Sequence, residues 1–190
     1  MIDFSPIRDG QLKFGEFAGE YSIDDLRAVT NESIDFLLSI VADLTDEQVV
    51  FDPVDPNADD PYAVEGEERI GWSIAHLIAH VTASSEEGAA FSSLLARGVE
   101  ASERPRYETP WKDITTQAQC VQRLEESRRI RLAYLDTWPD APSLDVYRVV
   151  SDGFREKFGQ MNAPAAFLFG LSHEVGHYDQ IKEVARQAKS

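Results

Sequence analysis

The chain holds four histidines, and they fall into two pairs: His76 with His80, and His173 with His177. Residues four apart on a helix stand one above the other on the same face. Two such pairs on facing helices aim imidazoles at one volume. Divalent transition metals take three or four nitrogen or carboxylate ligands at about 2.1 Å, and neutral imidazole is the commonest of these. A lone histidine in a core is ordinarily a hydrogen-bonded packing residue. Two i,i+4 pairs with no histidine elsewhere fit a metal site better.

The apolar residues around each pair suggest which rings ligate. On the segment that carries the first pair, Ile74, Leu77, Ile78 and Val81 set the core direction. At 100° per residue His80 lies roughly 110° from it and His76 roughly 150°. His80 is therefore the expected ligand, with His76 closer to solvent. Around the second pair, Ala166, Gly170, His173, His177, Gln180 and Val184 recur at helical spacing as one stripe. A packing stripe would carry leucines. Small residues at 166 and 170 are expected to leave room beside the metal, as the pocket for a ligand. Gly176 costs roughly 1 kcal/mol relative to alanine in a helix, and close approach of a neighbouring helix would explain it. Glu174, Gln180 and His76 are the candidates for orienting the ligands or moving protons.

His173-Glu174-Val175-Gly176-His177 also matches HExxH, the zinc-peptidase pattern in which the glutamate is the general base. The long form of that motif places a third histidine six residues after the second. Glu183 stands there, and Gln180 occupies the place of its glycine. The peptidase reading is accordingly the weaker one.

The elements that must position these residues follow from hydrophobic periodicity. Four amphipathic helices are expected, over about 22–44, 73–97, 116–137 and 164–188. Ser22 is a good N-cap followed by Asp24 and Asp25, and Thr45 caps a short extra turn. Val121, Leu124, Ile130, Tyr134 and Leu135 form the inward face of the third helix, which ends before Trp138-Pro139. In the fourth, Asn162 or Ala163 precedes a proline in the first turn. Residues 146–158 read either as a small hairpin turning at Asp152-Gly153 or as an irregular helical excursion. The acidic stretch 51–71 lacks the spacing of a calcium loop and reads as a solvated connection. The fold class is thus all-α, a four-helix bundle with long connections, in a single domain over 1–190.

Trp72-Ser73-Ile74 with His80 eight residues after the tryptophan, and His173-x-x-x-His177-x-x-Gln180-Ile181 near the C-terminus, together resemble the DinB-like (DNA-damage-inducible) family of metal-binding four-helix bundles. The likeness extends over about 22–188. It implies a divalent metal, often zinc, nickel or manganese, held by one histidine of the second helix and two of the fourth, with water completing the shell. It does not imply DNA binding. Some relatives are thiol-dependent transferases or isomerases, which implies a low-molecular-weight thiol or another small molecule as partner. The chain departs from the pattern in its extra His76 and its acidic stretch before Trp72.

Composition bounds the rest. Apolar residues make up 43% and charged residues 27%, an ordinary globular balance. The formal charge of −16 repels phosphates, so nucleic acid is not an expected partner. No apolar run reaches the roughly 18 residues of a membrane span, and the N-terminus has no signal-peptide pattern. With the lone Cys120, expected as a buried structural thiol, these features point to a cytoplasmic protein. A homodimer stays open. Two functions follow as expectations: a metal-dependent thiol transferase or isomerase, or a non-enzymatic metal-stabilised binding or sensor protein.

Overall fold

A computed structural model describes residues 2–56, 58 and 68–190, and most of the acidic stretch lies outside them. Among the described residues all regular structure is helical. The helices are α1 (Ser5–Arg8), α2 (Phe14–Ala18), α3 (Ile23–Val41), α4 (Asp46–Val49), α5 (Ile74–Ala96), α6 (Gln117–Leu135), α7 (Asp152–Phe158), α8 (Ala163–Gly176) and α9 (Tyr178–Ala188), with a 3-10 turn at Trp111–Asp113. No described helix is long and apolar enough to cross a membrane.

Side-chain caps start the long helices where the sequence places them. The side chains of Ser22, Ser73, Thr116 and Asn162 each accept from the backbone amide three residues on, that of Asp25, His76, Gln119 and Ala165 respectively. Such caps satisfy amides that have no partner inside the helix. Thr45 caps α4 in the same way. Residues 146–158 take the helical alternative rather than the hairpin. The Ser151 side chain accepts from the Phe154 amide and opens α7, while Arg148 and Val149 donate to the carbonyls of Met161 and Ala101. The would-be turn residue Gly153 is simply the second residue of that helix.

The bundle is built from α3, α5, α6 and α8–α9, with α5 at its centre against α8 and α6. Nearly every residue of α5 is buried. One apolar cluster gathers Ile34, Leu37, Leu77, Ile78, Leu124 and Ile181 at the end that carries the histidines. A second, around Phe14, Phe91, Leu95, Leu135, Phe167 and Leu168, fills the other end.

Gly88 and Gly170 face each other where α5 crosses α8. A Cβ on Gly170 would lie 2.6 Å from the Ser84 carbonyl oxygen, and one on Gly88 would lie 2.8 Å from that of Ala166. Ala166 is 2% exposed. Ala166 and Gly170 therefore do not border an open side of the histidines, as the sequence suggests. Their small volume is taken up by the backbone of α5. Gly176 is the opposite case, since an added Cβ there meets nothing within 4 Å. The close approach expected for Gly176 occurs instead at Gly170. Gly170→Ala is expected to destabilise the protein by about 1–3 kcal/mol, because the clash with backbone outweighs the roughly 1 kcal/mol of helix propensity gained. Gly176→Ala is expected to be neutral or mildly stabilising. Urea unfolding of the two variants checks this, and stabilisation by Gly170→Ala would refute the crossing.

Candidate metal centre

Three of the four histidines converge. His80 from α5, His173 from α8 and His177 from the α8–α9 junction place one ring nitrogen each within 4.8 Å of one another. The Nε2 atoms of His80 and His173 are 2.8 Å apart. The rings of His80 and His173 are 4.9 Å apart between centroids, and those of His173 and His177 are 4.8 Å apart.

The segment 164–188 is not one helix. α8 stops at Gly176 and α9 starts at Tyr178. His177 stands between them with φ −91° and ψ −4°, and its amide donates to the Glu174 carbonyl three residues back. The tighter turn still leaves His177 on the side of His173 that faces His80.

Two of the rings are held by a group on their far side. His177 Nδ1 donates to Gln180 Oε1 at 2.8 Å, and Gln180 Nε2 donates to Asp55 at 3.3 Å. That contact puts the proton on Nδ1 and turns the Nε2 lone pair toward the cluster. The Glu108 carboxylate lies 3.6 Å from His80 Nδ1, and Arg106 binds both Glu108, at 2.6 Å, and the His80 carbonyl, at 3.3 Å. Burial would raise the Glu108 carboxyl, but the hydrogen bonds from His80 and Arg106 outweigh it and hold the group at about 2. Sequence reasoning missed Arg106 and Glu108, which lie on an irregular connection where periodicity has nothing to report.

His76 does not face solvent. It is 9% exposed. Its ring is sandwiched between Trp72, at 4.5 Å between centroids, and Trp111, at 4.6 Å with the planes 7° apart. Trp72 also lies 4.7 Å from the His80 ring and 5.9 Å from that of His177. The wheel estimate failed because α5 is covered on nearly all sides, so four apolar residues do not define one buried direction. The 3-10 turn at 111–113 covers the face assigned to water.

Glu174 is neither a surface charge nor a group at the cluster. It is fully buried and its carboxylate is occupied. Arg131 Nη2 and Ser85 Oγ donate to one oxygen, each at 2.6 Å, and the Tyr178 hydroxyl donates to the other at 3.1 Å. Cys120 is buried as expected, and burial pushes its thiol up to about 12.

Part of His173 is open to solvent, but its Nε2 is turned into the cluster. Burial there, with His177 and His80 beside it, lowers its pKa to about 3. Burial also lowers His177, against the opposing effect of Gln180. Both rings are therefore neutral near pH 7, the form in which imidazole binds a metal. As pH falls below the ordinary 6.5 of histidine, the unfolded chain takes up protons that the folded one refuses. Stability must then fall with pH. Urea unfolding of metal-free protein at pH 7, 5.5 and 4.5 is expected to show a steady loss. A flat profile would mean that the rings are not enclosed as described.

An all-helical bundle with three imidazoles gathered across a helix seam is a scaffold of the metal-binding type. The chain belongs to the DinB superfamily, whose family model matches residues 30–181. No curated protein and no solved structure matches it.

Proposed function

We propose that His80, His173 and His177 hold one divalent transition-metal ion, and that the protein uses it to transfer a low-molecular-weight thiol to a small electrophile, or in a related isomerisation. The observation that carries the metal reading is the donor set itself. Three imidazole nitrogens lie within 4.8 Å, two of the rings are held from behind by polar partners, and the third has its Nε2 turned inward. This fits zinc, nickel or manganese with three protein ligands and room for a further one. When bound, such an ion supplies Lewis acidity that favours the deprotonated form of a thiol or water beside it.

The chain's own residues would do the rest. Gln180 and Glu108 keep His177 and His80 in fixed orientation. The stacked Trp72, His76 and Trp111 form a wall against water on the α5 side. Among the described residues, a cleft of about 510 Å³ between Pro53–Pro56 and α9 is lined by Gln180, Glu183, Val184 and Gln187. It adjoins the site through Gln180, the partner of His177, and in this reading it replaces residues 166 and 170 as the approach for a small molecule. The thiol reaction itself rests on the family resemblance.

Two observations weigh against the other readings. A peptidase of the HExxH type needs a free carboxylate between its histidines, and Glu174 is engaged by three donors. A metal that served only to hold the fold is unneeded by a bundle with two apolar clusters of its own. Protein purified without a histidine tag is expected to contain about one transition metal per chain. Cobalt(II) substituted at the site should change its visible spectrum when small thiols are added. Metal-free protein that also fails to take up cobalt would overturn the proposal. A cobalt spectrum insensitive to any thiol or anion would remove the catalytic part of it.

A further inference from the structure

We propose that Tyr178 and Glu174 are positioning residues, a hydrogen-bonded brace across the α8–α9 break that fixes His173 and His177 relative to each other. The proposal rests on the metal-site reading above.

An i,i+4 histidine pair on an unbroken helix is held by the backbone. This pair is not on one. Its second member sits at the break, directly after Gly176, where an added Cβ would meet nothing within 4 Å. The break needs another restraint, and the side chains supply one. The Tyr178 hydroxyl reaches back over the junction to Glu174 Oε1 at 3.1 Å. Glu174 is pinned from two other helices, by Ser85 of α5 and Arg131 of α6. Arg131 is in turn fixed by Ser127 at 3.0 Å and by Ser33 of α3 at 3.2 Å. The Tyr178 ring packs on Phe36, with 4.4 Å between centroids. The start of α9 is thus tied to α3, α5 and α6 through one carboxylate that lies between the two histidines in sequence. A buried ion pair is seldom more stabilising than apolar residues of the same size, and fixing register is its best-attested use.

The test is Tyr178→Phe in the full chain, which removes the hydroxyl and keeps the ring on Phe36. Cobalt(II) affinity is expected to fall by about tenfold or more, the usual range for loss of a group that orients a ligand, and the visible spectrum of the cobalt form should shift. Leu135→Ala, a core change in the distant apolar cluster, should weaken folding without altering either readout. Tyr178→Phe that binds cobalt like the parent, with the same spectrum, would overturn the brace. So would an equal loss of affinity in Leu135→Ala. If Tyr178→Phe fails to fold, Ser85→Ala strips a different donor from the same carboxylate and carries the same expectation. If the parent takes no cobalt at all, the metal reading fails and the brace is judged by nitrogen NMR of the imidazoles. The His177 resonances should then move in Tyr178→Phe, and unmoved resonances would refute it.

Discussion

Arg131→Ala is expected to cost about 3–5 kcal/mol of folding stability, the usual penalty for removing one partner of a buried ion pair. Arg131 is 1% exposed and Glu174 is 0% exposed. Without the guanidinium, the carboxylate keeps only the hydroxyls of Ser85 and Tyr178, far from water. Domains of this kind are stable by about 5–15 kcal/mol, so the loss is a large share of the total. The double variant Arg131→Met with Glu174→Leu removes both charges. It is expected to recover most of that stability, since apolar residues of similar size often replace such a pair without loss. Urea unfolding of the two variants followed by circular dichroism measures both quantities. A cost below about 1 kcal/mol for Arg131→Ala would mean that water reaches the carboxylate and that the interior is not closed there.

Arg131 also shows where sequence reasoning stops. The buried stripe of α6 is Cys120, Leu124, Ser127, Arg131 and Leu135, at regular helical spacing. Reading apolar residues alone picks out Leu124 and Leu135 correctly but adds Val121, Ile130 and Tyr134, which are only half-buried. The polar members were invisible because a serine and an arginine on an inward face make sense only once Glu174 and Ser33 are seen opposite them. Glu174 has the same history. In sequence it is the glutamate of HExxH, a group to orient ligands or move protons, or a surface charge; in the fold it is the acceptor that brings α5, α6 and α9 together.

What was legible had a local cause. The caps at Ser22 and Thr45 depend on residues within one turn, so they could be read directly. The histidine convergence was legible because two i,i+4 pairs constrain each other. The break at His177 was not, because Gly176 signals either a close approach or a weak helix end, and spacing does not separate them. The environment of His76 was not legible either. It depends on Trp111, thirty-five residues away on an irregular connection, and no periodicity links the two.

The largest effect on function is expected from the three converging histidines. His80→Ala, His173→Ala and His177→Ala should each weaken metal binding by on the order of a hundredfold or more. Apparent binding energies of about 10–16 kcal/mol for closed zinc sites, shared among four ligands, amount to several kcal/mol per ligand. The loss should be similar from all three positions, since removal of any one leaves two nitrogens, too few for a tight site. His76→Ala separates the two members of the first pair. Its ring is committed to the stack between Trp72 and Trp111, so metal affinity should stay within about tenfold of the parent. Stability should fall, because an aromatic pair contributes about 0.5–1.5 kcal/mol beyond its buried area. Elemental analysis and cobalt titration of the four variants, each with an unfolding curve, distinguish ligand from packing residue. His80→Ala with full metal content would show that α5 supplies no ligand. His76→Ala without metal would show that the stack opens on binding and that the second ring of α5 enters the site.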